Sequence, residues 1–173
     1  MDKNKEHWEK YYKSGVASEE PSSFAQRVAP LVRGALVDLG CGNGRDTRYF
    51  EGQGIEAVGV DEAAGMSVEE FIEKIDSPEN VYARFFWHSI TREVQNRILE
   101  WTTGTIFIEA RTTEDEKRPK VAEPHWRNYV DVVLLVIDLK RHGFEIISLE
   151  EGTGFSPYKG EDPHLVRVIA KKK

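Results

Sequence analysis

The chain has 173 residues, 39% of them hydrophobic, which is enough for one globular domain with a sizeable core. Its formal net charge of −6 disfavours nucleic acids and anionic membranes as partners, because both are bound through basic surfaces. The single cysteine excludes a disulfide framework, and the N-terminus lacks the apolar run of a secretory signal, so we expect a cytoplasmic protein. The longest apolar run, residues 130–139, contains two aspartates and is too short to cross a membrane.

The N-terminal part, residues 1–33, is predicted to form a helical cap or lid on a core that spans residues 34–173, within a single domain. Two helices are expected there, one with an aromatic side and one that begins at a serine cap. The residues concerned are Trp8, Tyr11 and Tyr12 in the first helix and Ser22 or Ser23, Phe24, Val28 and Leu31 in the second.

From residue 34 onward, predicted strands alternate with predicted helices. The strands are 35–40, 55–61, 80–90, 103–112 and two near the C-terminus, and the helices are 45–54, 67–75, 91–101 and 127–142. This alternation predicts an α/β fold, a three-layer αβα sandwich with a Rossmann-like, mostly parallel sheet. The C-terminal strand is expected to run antiparallel to the others.

A glycine-rich turn follows the first predicted strand. Gly40, Gly42 and Gly44 stand in five positions, two residues after the acidic Asp38. Glycines let the backbone take positive φ and approach a ligand closely, and open parallel sheets bind ligands at this edge. A dinucleotide-binding fingerprint would need a third glycine where this chain has Arg45. An acid beside the turn instead favours a ligand that carries a cation.

Two stretches resemble the class I S-adenosylmethionine-dependent methyltransferases. Residues 37–44, VDLGCGNG, are similar to the first motif of that family, and residues 57–66, AVGVDEAAGM, are similar to its second strand. In that family the second strand ends in an acid that binds both ribose hydroxyls, which here is Asp61. Later segments resemble a small bacterial subgroup associated with polysaccharide-modifying proteins.

The resemblance implies S-adenosyl-L-methionine as the cofactor and the oxygen of a small polar or sugar-like molecule as the methyl acceptor. It implies the following cofactor-binding residues: Asp38, Gly40, Cys41, Gly42, Asn43, Gly44, Asp61, Glu62, Met66, Arg84 and Phe85.

One departure from the family concerns the third strand. The family usually places a strand and a helix between the ribose acid and the next strand, but here one helix, 67–75, nearly fills the interval. We therefore expect the third strand to be missing, together with the polar residue that contacts the adenine amino group in the family. The second strand then becomes an edge of the sheet, covered by that helix or paired with a second subunit in a homodimer.

Three residues are candidates for catalysis: His88, Glu109 and His125. Methyl transfer mainly needs alignment and exclusion of water, and a base only where the acceptor must lose a proton. His88 is either that base or a packed histidine. Glu109 is either a second base or an ion-pair partner of a nearby arginine.

Basic and aromatic residues close to these candidates suggest a substrate-binding lip. Arg111 would clamp an anionic group of the acceptor, with Arg127 and Tyr129 beside it, although ion-pair and surface roles explain the same residues. Arg84 could pair with a substrate anion or with Glu109.

Other functions stay open. A non-catalytic S-adenosylmethionine-binding subunit would have the same motifs, whereas Arg45 disfavours a nicotinamide-dependent oxidoreductase. A nucleic-acid or protein acceptor has little support, because no basic stripe and no NPPY motif is present. No metal site is expected, since no Cys/His spacing suits zinc.

Overall fold

The computed structural model describes residues 18–120 and 126–173. The predicted aromatic helix with Trp8, Tyr11 and Tyr12, and the candidate base His125, lie outside the described residues.

In the described part of the chain, six strands form one mixed sheet. They are β1 Leu36–Leu39, β2 Ala57–Val60, β3 Asn80–Arg84, β4 Thr105–Arg111, β5 Phe144–Gly152 and β6 Leu165–Lys172. Their order is β2-β1-β3-β4-β6-β5, in which β1 to β4 are parallel and β6 pairs antiparallel with both β4 and β5. The carboxyl ends of β1, β2, β3 and β4 therefore meet along one edge, where the predicted site residues lie.

Among the described residues, five helices cover the two faces of the sheet. They are α1 Ser23–Val28, α2 Arg45–Gly52, α3 Val68–Lys74, α4 Arg92–Trp101 and α5 Val132–Arg141. On one face, α1 and α2 bury Phe24 and Phe50 against Tyr82 and Phe107. On the other face, α3, α4 and α5 pack on the opposite side chains of the same strands. The three-layer α/β sandwich is confirmed, including the antiparallel C-terminal strand.

The helices begin where the sequence places polar caps. The Ser22 side chain caps α1, and Ser67 forms a reciprocal capping box with Glu70 at α3. Thr91 and Asp131 cap α4 and α5 as Ser22 caps α1, with a side-chain oxygen that accepts from a backbone amide in the first turn. Capping satisfies amide groups that have no partner inside the helix, so these residues set the helix starts.

The missing third strand is confirmed. Residues 62–79 are all described, and the helical elements among them are a short 3-10 turn, Glu62–Ala64, and α3, with no strand. As a result β2 lies at one edge of the sheet, and β5 lies at the other. Val58 of β2 is 49% exposed, so α3 does not cover this edge.

Three predicted element boundaries are wrong. The last helix begins at Val132 rather than at residue 127, because Val130 bridges to Thr112 and Asp131 caps the helix. Strand β3, which was predicted to span residues 80–90, ends at Arg84. Leu31 is 52% exposed and does not share the buried stripe of Phe24 and Val28, because α1 ends at Val28.

Candidate functional site

The glycine loop, residues 40–44, lies at the carboxyl end of β1. Its three glycines have φ values of 72°, 59° and 75° for Gly40, Gly42 and Gly44. A side chain at Gly40 would also collide with Phe86, since an ideal Cβ atom there lies 2.4 Å from that ring. The loop conformation therefore depends on glycine through both its backbone angles and its close contacts.

The backbone amides and the backbone carbonyl groups of the glycine loop differ in their hydrogen bonding. Its amides donate within the protein: Gly40 N to Val60 O at 2.8 Å, Gly42 N to Asp61 Oδ2 at 2.9 Å and Gly44 N to Cys41 O at 2.9 Å. Among the described residues, the carbonyl oxygens of Gly40 and Gly42 accept no hydrogen bond. The glycines of the loop therefore offer acceptors rather than donors, which suits a ligand that carries a cation.

Asp61 follows the last residue of β2 and is fixed beside this loop. Its Oδ2 accepts from Gly42 N at 2.9 Å and its Oδ1 accepts from Ala63 N at 2.8 Å. Each carboxylate oxygen has a second lone pair, so the group can still accept two hydroxyl donors. The carboxylate is half-buried and preorganised at the position where the resemblance places the ribose.

Asp38 lies deeper, in β1, and is 2% exposed. Its Oδ2 accepts a hydrogen bond of 2.6 Å from the Thr47 hydroxyl of α2. Burial raises the pKa of Asp38 to about 7, with further contributions from neighbouring carboxylates and an opposing one from the Thr47 hydrogen bond. Burial likewise raises the pKa of the Cys41 thiol to about 12, so this cysteine is neutral and is no nucleophile at neutral pH.

A buried hydrogen-bond cluster joins the N-terminal segment to the glycine loop. Asp46, in the first turn of α2, accepts from Ser22 N at 2.8 Å, from the Ser22 hydroxyl at 2.7 Å and from the Tyr82 hydroxyl at 2.9 Å. Asn43 of the loop donates through Nδ2 to Ser18 O at 3.2 Å. Sequence reasoning missed this cluster, because its members come from distant parts of the chain.

The carboxyl end of β3 carries Arg84, Phe85 and His88. Phe85 has a φ of 52°, which is unusual for a residue with a side chain and is typical of functional sites. The guanidinium groups of Arg84 and Arg111 lie 4.5 Å and 5.5 Å from the centre of the Phe85 ring, and His88 meets the ring edge-on. These residues form one group, in which Arg84 and Phe85 were predicted to bind the cofactor and Arg111 the acceptor, and these roles stay predictions.

His88 is 2% exposed. Its Nδ1 accepts from the amide of Arg111 at 3.1 Å, and its carbonyl oxygen accepts from Asn128 N at 2.7 Å. Because Nδ1 accepts a hydrogen bond, the neutral imidazole carries its proton on Nε2, so a base role at His88 would require Nδ1 to give up the bond to Arg111 N. The histidine joins the ends of β3 and β4 to residues 126–130, and its role as a base stays a prediction.

Glu109 is completely buried in β4 between two arginines. Its Oε2 accepts from Arg167 Nε at 2.5 Å, and its Oε1 lies 2.9 Å from Arg84 Nε and accepts from the Ser156 hydroxyl at 3.0 Å. The ion pair with Arg84 was one of the two roles expected for these residues. Arg167 and Ser156 were not predicted, because they come from the C-terminal strand and from the loop before it.

Arg111 forms ion pairs with Asp115, at 2.7 Å from Nη1, and with Glu161. It does not pair with Glu109, although both side chains were expected on one side of β4, because Asp115 and Arg167 supply nearer partners. Arg127 has a buried Nε atom that makes no hydrogen bond to the described residues. Tyr129 is half-buried, with Lys120 Nζ 5.8 Å from its ring centre.

Glu62 and Met66 flank the turn after β2, and both are exposed, Met66 by 39%. They lie beside Asp61, as the resemblance implies, and the described residues 62–79 that follow contain no third strand.

The comparison with protein families decides the assignment. The model of the family described as tellurite resistance protein TehB matches residues 1–101, which is more than half of the chain and includes the glycine loop and Asp61. The chain belongs to the TehB family. No curated protein matches its sequence.

Solved structures establish the fold of this TehB-family protein. An S-adenosylmethionine-dependent methyltransferase from Archaeoglobus fulgidus has a TM-score of 0.60 and 17% identity, with 86% of this chain and 92% of that chain covered. The glycopeptide N-methyltransferase MtfA in complex with S-adenosylmethionine has a TM-score of 0.61 and 13% identity, with 95% and 96% covered.

A third similar structure is the 1,6-didemethyltoxoflavin-N1-methyltransferase of Burkholderia thailandensis, with a TM-score of 0.59, 16% identity and 88% and 79% covered. At these identities the likeness shows the fold alone. The fold of the TehB-family protein is that of the class I methyltransferases, and that part of the sequence-based assignment is confirmed. The likeness to the polysaccharide-associated subgroup stays a prediction.

Residues 18–120 and 126–173 contain no group of three or more His, Cys, Asp or Glu side chains that could hold a metal ion. Within the same ranges, no helix is long and apolar enough to span a membrane.

Proposed function

We propose that this TehB-family protein is an S-adenosylmethionine-dependent methyltransferase that methylates an oxygen of a small polar acceptor. One observation carries the donor assignment: the Asp61 carboxylate is fixed at the tip of β2, 2.9 Å from the amide of Gly42, directly beside the glycine loop. This pairs a ribose-binding acid with a loop that offers carbonyl oxygens to a cation.

The residues present fit the donor. Asp61 would accept hydrogen bonds from the ribose hydroxyls, and the open carbonyl oxygens of Gly40 and Gly42 would face its ammonium and methionine part. Asp38 adds a buried carboxyl behind the loop that can take a negative charge near a cation. When bound, the donor supplies an electrophilic methyl group on a sulfonium.

The acceptor side of the proposal rests on the tips of β3 and β4. On the surface there, Phe85 lies beside Arg84, which is paired with Glu109, and Arg111, which is paired with Asp115 and Glu161, and Arg127 contributes a buried Nε without a described partner. A small polar molecule with negative charge suits such a surface better than an apolar one. Sugar-like acceptors remain within the proposal, as predicted from the sequence.

His88 and Glu109 hold this surface in place in our proposal, rather than moving a proton. His88 fixes the amide of Arg111 through Nδ1, and Glu109 fixes Arg84 and Arg167 through both of its oxygens. An acceptor that is already an oxyanion needs no base, which agrees with two candidate bases that are buried and hydrogen-bonded.

Donor binding tests the first half of the proposal. Asp61→Ala is expected to weaken binding of S-adenosylmethionine by about tenfold or more, because it removes two charge-assisted hydrogen bonds. Asp61→Asn keeps one acceptor oxygen, so its affinity for the donor should lie between that of Asp61→Ala and that of the wild type. Isothermal titration calorimetry measures both, with circular dichroism to show that each variant folds.

Glu56→Ala is the matched control, since it removes an exposed acid just before β2, at the opposite end of the strand. Its donor affinity should equal that of the wild type. If Asp61→Ala bound the donor normally, Asp61 would not be the ribose ligand and the assignment would fail.

Transfer of a labelled methyl group tests the second half. The panel contains free and phosphorylated sugars, small carboxylates and tellurite, the last because the matched family is described by tellurite resistance. Methylation of an oxyanion supports the proposal, methylation of a hydroxyl supports O-methylation but contradicts the absence of a base, and methylation of amines alone contradicts the proposal. Donor binding without transfer to any acceptor would instead favour a non-catalytic S-adenosylmethionine-binding subunit.

The proposal includes assembly with a second copy of the chain through an edge of the sheet, as expected from the sequence. The edge expected there, β2, has four residues, with Val58 as its exposed apolar side chain.

A further inference from the structure

Exposed apolar side chains are concentrated on one side of the molecule, far from the β2 edge. Of the eleven large hydrophobic residues that are exposed in the described part of the chain, five lie on α5 and β5. They are Val133, Leu134 and Ile137 on the helix and Ile147 and Leu149 on the strand. We call this group the α5/β5 surface.

Helix α5 is apolar all round its first two turns. Leu135 and Leu139 lie in the core, yet Val133 on the opposite side is 69% exposed and Ile137 is 41% exposed. A helix at the surface of a domain usually has a polar outer face, and one that is apolar on all sides is normally buried. The sequence of α5 is therefore that of a covered helix.

Strand β5 extends the same surface. It is nine residues long and outermost in the sheet, and no strand among the described residues pairs with its outer edge. Between it and α5 lies a groove of about 630 Å³ whose lining includes Val136, Ile146 and Leu149. The register between β5 and β6 shifts between Ile146 and Ser148, so Ile147, which is 61% exposed, lies at a bulge, and the outer edge of β5 can pair with another strand through the residues on either side of it.

The charges around β5 indicate what covers it. Near its first residue stand Lys140, Lys171 and Lys173 with the acid Glu145, and near its last residue stand Glu151 and Glu150, the latter paired with Arg27 through both carboxylate oxygens. One end of the strand is thus net basic and the other net acidic. A two-fold axis that pairs β5 antiparallel with itself places each basic end against the acidic end of the other copy.

We infer that the α5/β5 surface binds a second copy of this chain in an isologous dimer, with the two β5 strands antiparallel and the two α5 helices packed over them. This places the subunit contact on β5 rather than on β2, which has half as many residues and a single exposed large apolar side chain. The inference rests on the surface and not on the proposed methyl transfer.

Sedimentation velocity on the full chain tests the inference. The wild type is expected to dimerise with a mass that depends on concentration, and Ile147→Lys should raise the dimer dissociation constant by about tenfold or more, because two like charges then meet near the two-fold axis. Val58→Lys on the β2 edge is the matched control and should dimerise like the wild type.

A second measurement keeps the test valid if Ile147→Lys folds poorly. Ile147→Cys should be cross-linked into a covalent dimer by a short bismaleimide, whereas the wild type, whose single cysteine is Cys41, should not.

Three results would overturn the inference: a wild type that stays monomeric over a roughly hundredfold range of concentration, loss of the dimer in Val58→Lys but not in Ile147→Lys, and absence of the cross-link in Ile147→Cys although this variant is dimeric. A monomer that Ile147→Lys destabilises would show that another part of the same chain covers the surface.

Discussion

Asp38 is the residue whose charge state matters most for the donor. With its pKa near 7, the carboxyl is protonated in the free protein at pH 5 and half-ionised at neutral pH. A nearby ammonium favours the ionised form, so it lowers the pKa of Asp38 and donor binding below pH 7 releases a proton. Donor affinity is therefore coupled to pH through this one side chain.

We predict that donor affinity increases as the pH rises from 5 to 7, by up to about tenfold per pH unit, and levels off above pH 7. Calorimetry in two buffers with different ionisation enthalpies measures the affinity and the released protons. Asp38→Asn cannot titrate and should show a flat profile. A wild-type profile that is flat, or an Asp38→Asn profile with the same slope, would contradict this coupling.

Glu109 shows how far single residues can be interpreted from sequence. Its place at the carboxyl end of a strand was predicted, and so was a nearby arginine partner. Its second partner, Arg167, was not predictable, because it is 58 residues away and reaches Glu109 only through the antiparallel insertion of β6 beside β4. Periodicity predicts which face a residue takes, but not which strand becomes its neighbour.

At the scale of elements, the residue that caps α1 also forms a hydrogen bond to a buried carboxylate. The Ser22 hydroxyl accepts from Ala25 N at 3.0 Å and donates to the buried Asp46 at 2.7 Å. The same serine therefore starts the helix and joins it to α2. In contrast, the Ser67 cap of α3 is exposed and serves only its own helix.

We predict that Ser22→Ala lowers the free energy of unfolding by about 2 kcal/mol, since it removes a cap and a hydrogen bond to a buried carboxylate. Ser67→Ala, the comparison, should cost about 1 kcal/mol or less. Urea unfolding followed by circular dichroism measures both values. Equal losses in the two variants would mean that the contact between Ser22 and Asp46 contributes nothing to stability.

Helix α5 illustrates where element prediction fails. The pattern from residue 127 onward looked helical, but Val130 N donates to Arg111 O at 2.9 Å and ties this segment to β4 instead. A tertiary hydrogen bond thus outweighs local helix propensity over five residues. The true start, Asp131, carries the capping signal that the sequence does contain.

At the scale of the whole molecule, the two halves of the site were predicted unequally. The donor side lies in two contiguous motifs, residues 37–44 and 57–66, so its loop, its acids and the absent third strand could be deduced from local patterns. The acceptor side assembles from β3, β4, β6 and the loops between them. The family match ends at Trp101, before most of those elements begin.

The interval without a strand, residues 62–79, has a consequence for which donors the protein accepts. The sheet stops at β2, and Glu62 and Met66 are exposed beside it. Among the described residues, the third strand expected beside β2, and with it the wall that it would give to a purine ring, is absent. Donor analogues with a bulky group on the N6 atom of adenine should bind about as well as the parent compound, whereas analogues that lack the ribose hydroxyls should not.

Competition against a fluorescent donor compares the two kinds of analogue directly. If a donor with a benzyl group on N6 failed to bind, another part of the protein would have to enclose the adenine ring. Such tolerance would let a tagged donor be used by this protein in a mixture where enclosed transferases reject it. The missing edge strand would then set the donor selectivity: the protein would recognise the ribose and the positive charge of the donor, but not its adenine base.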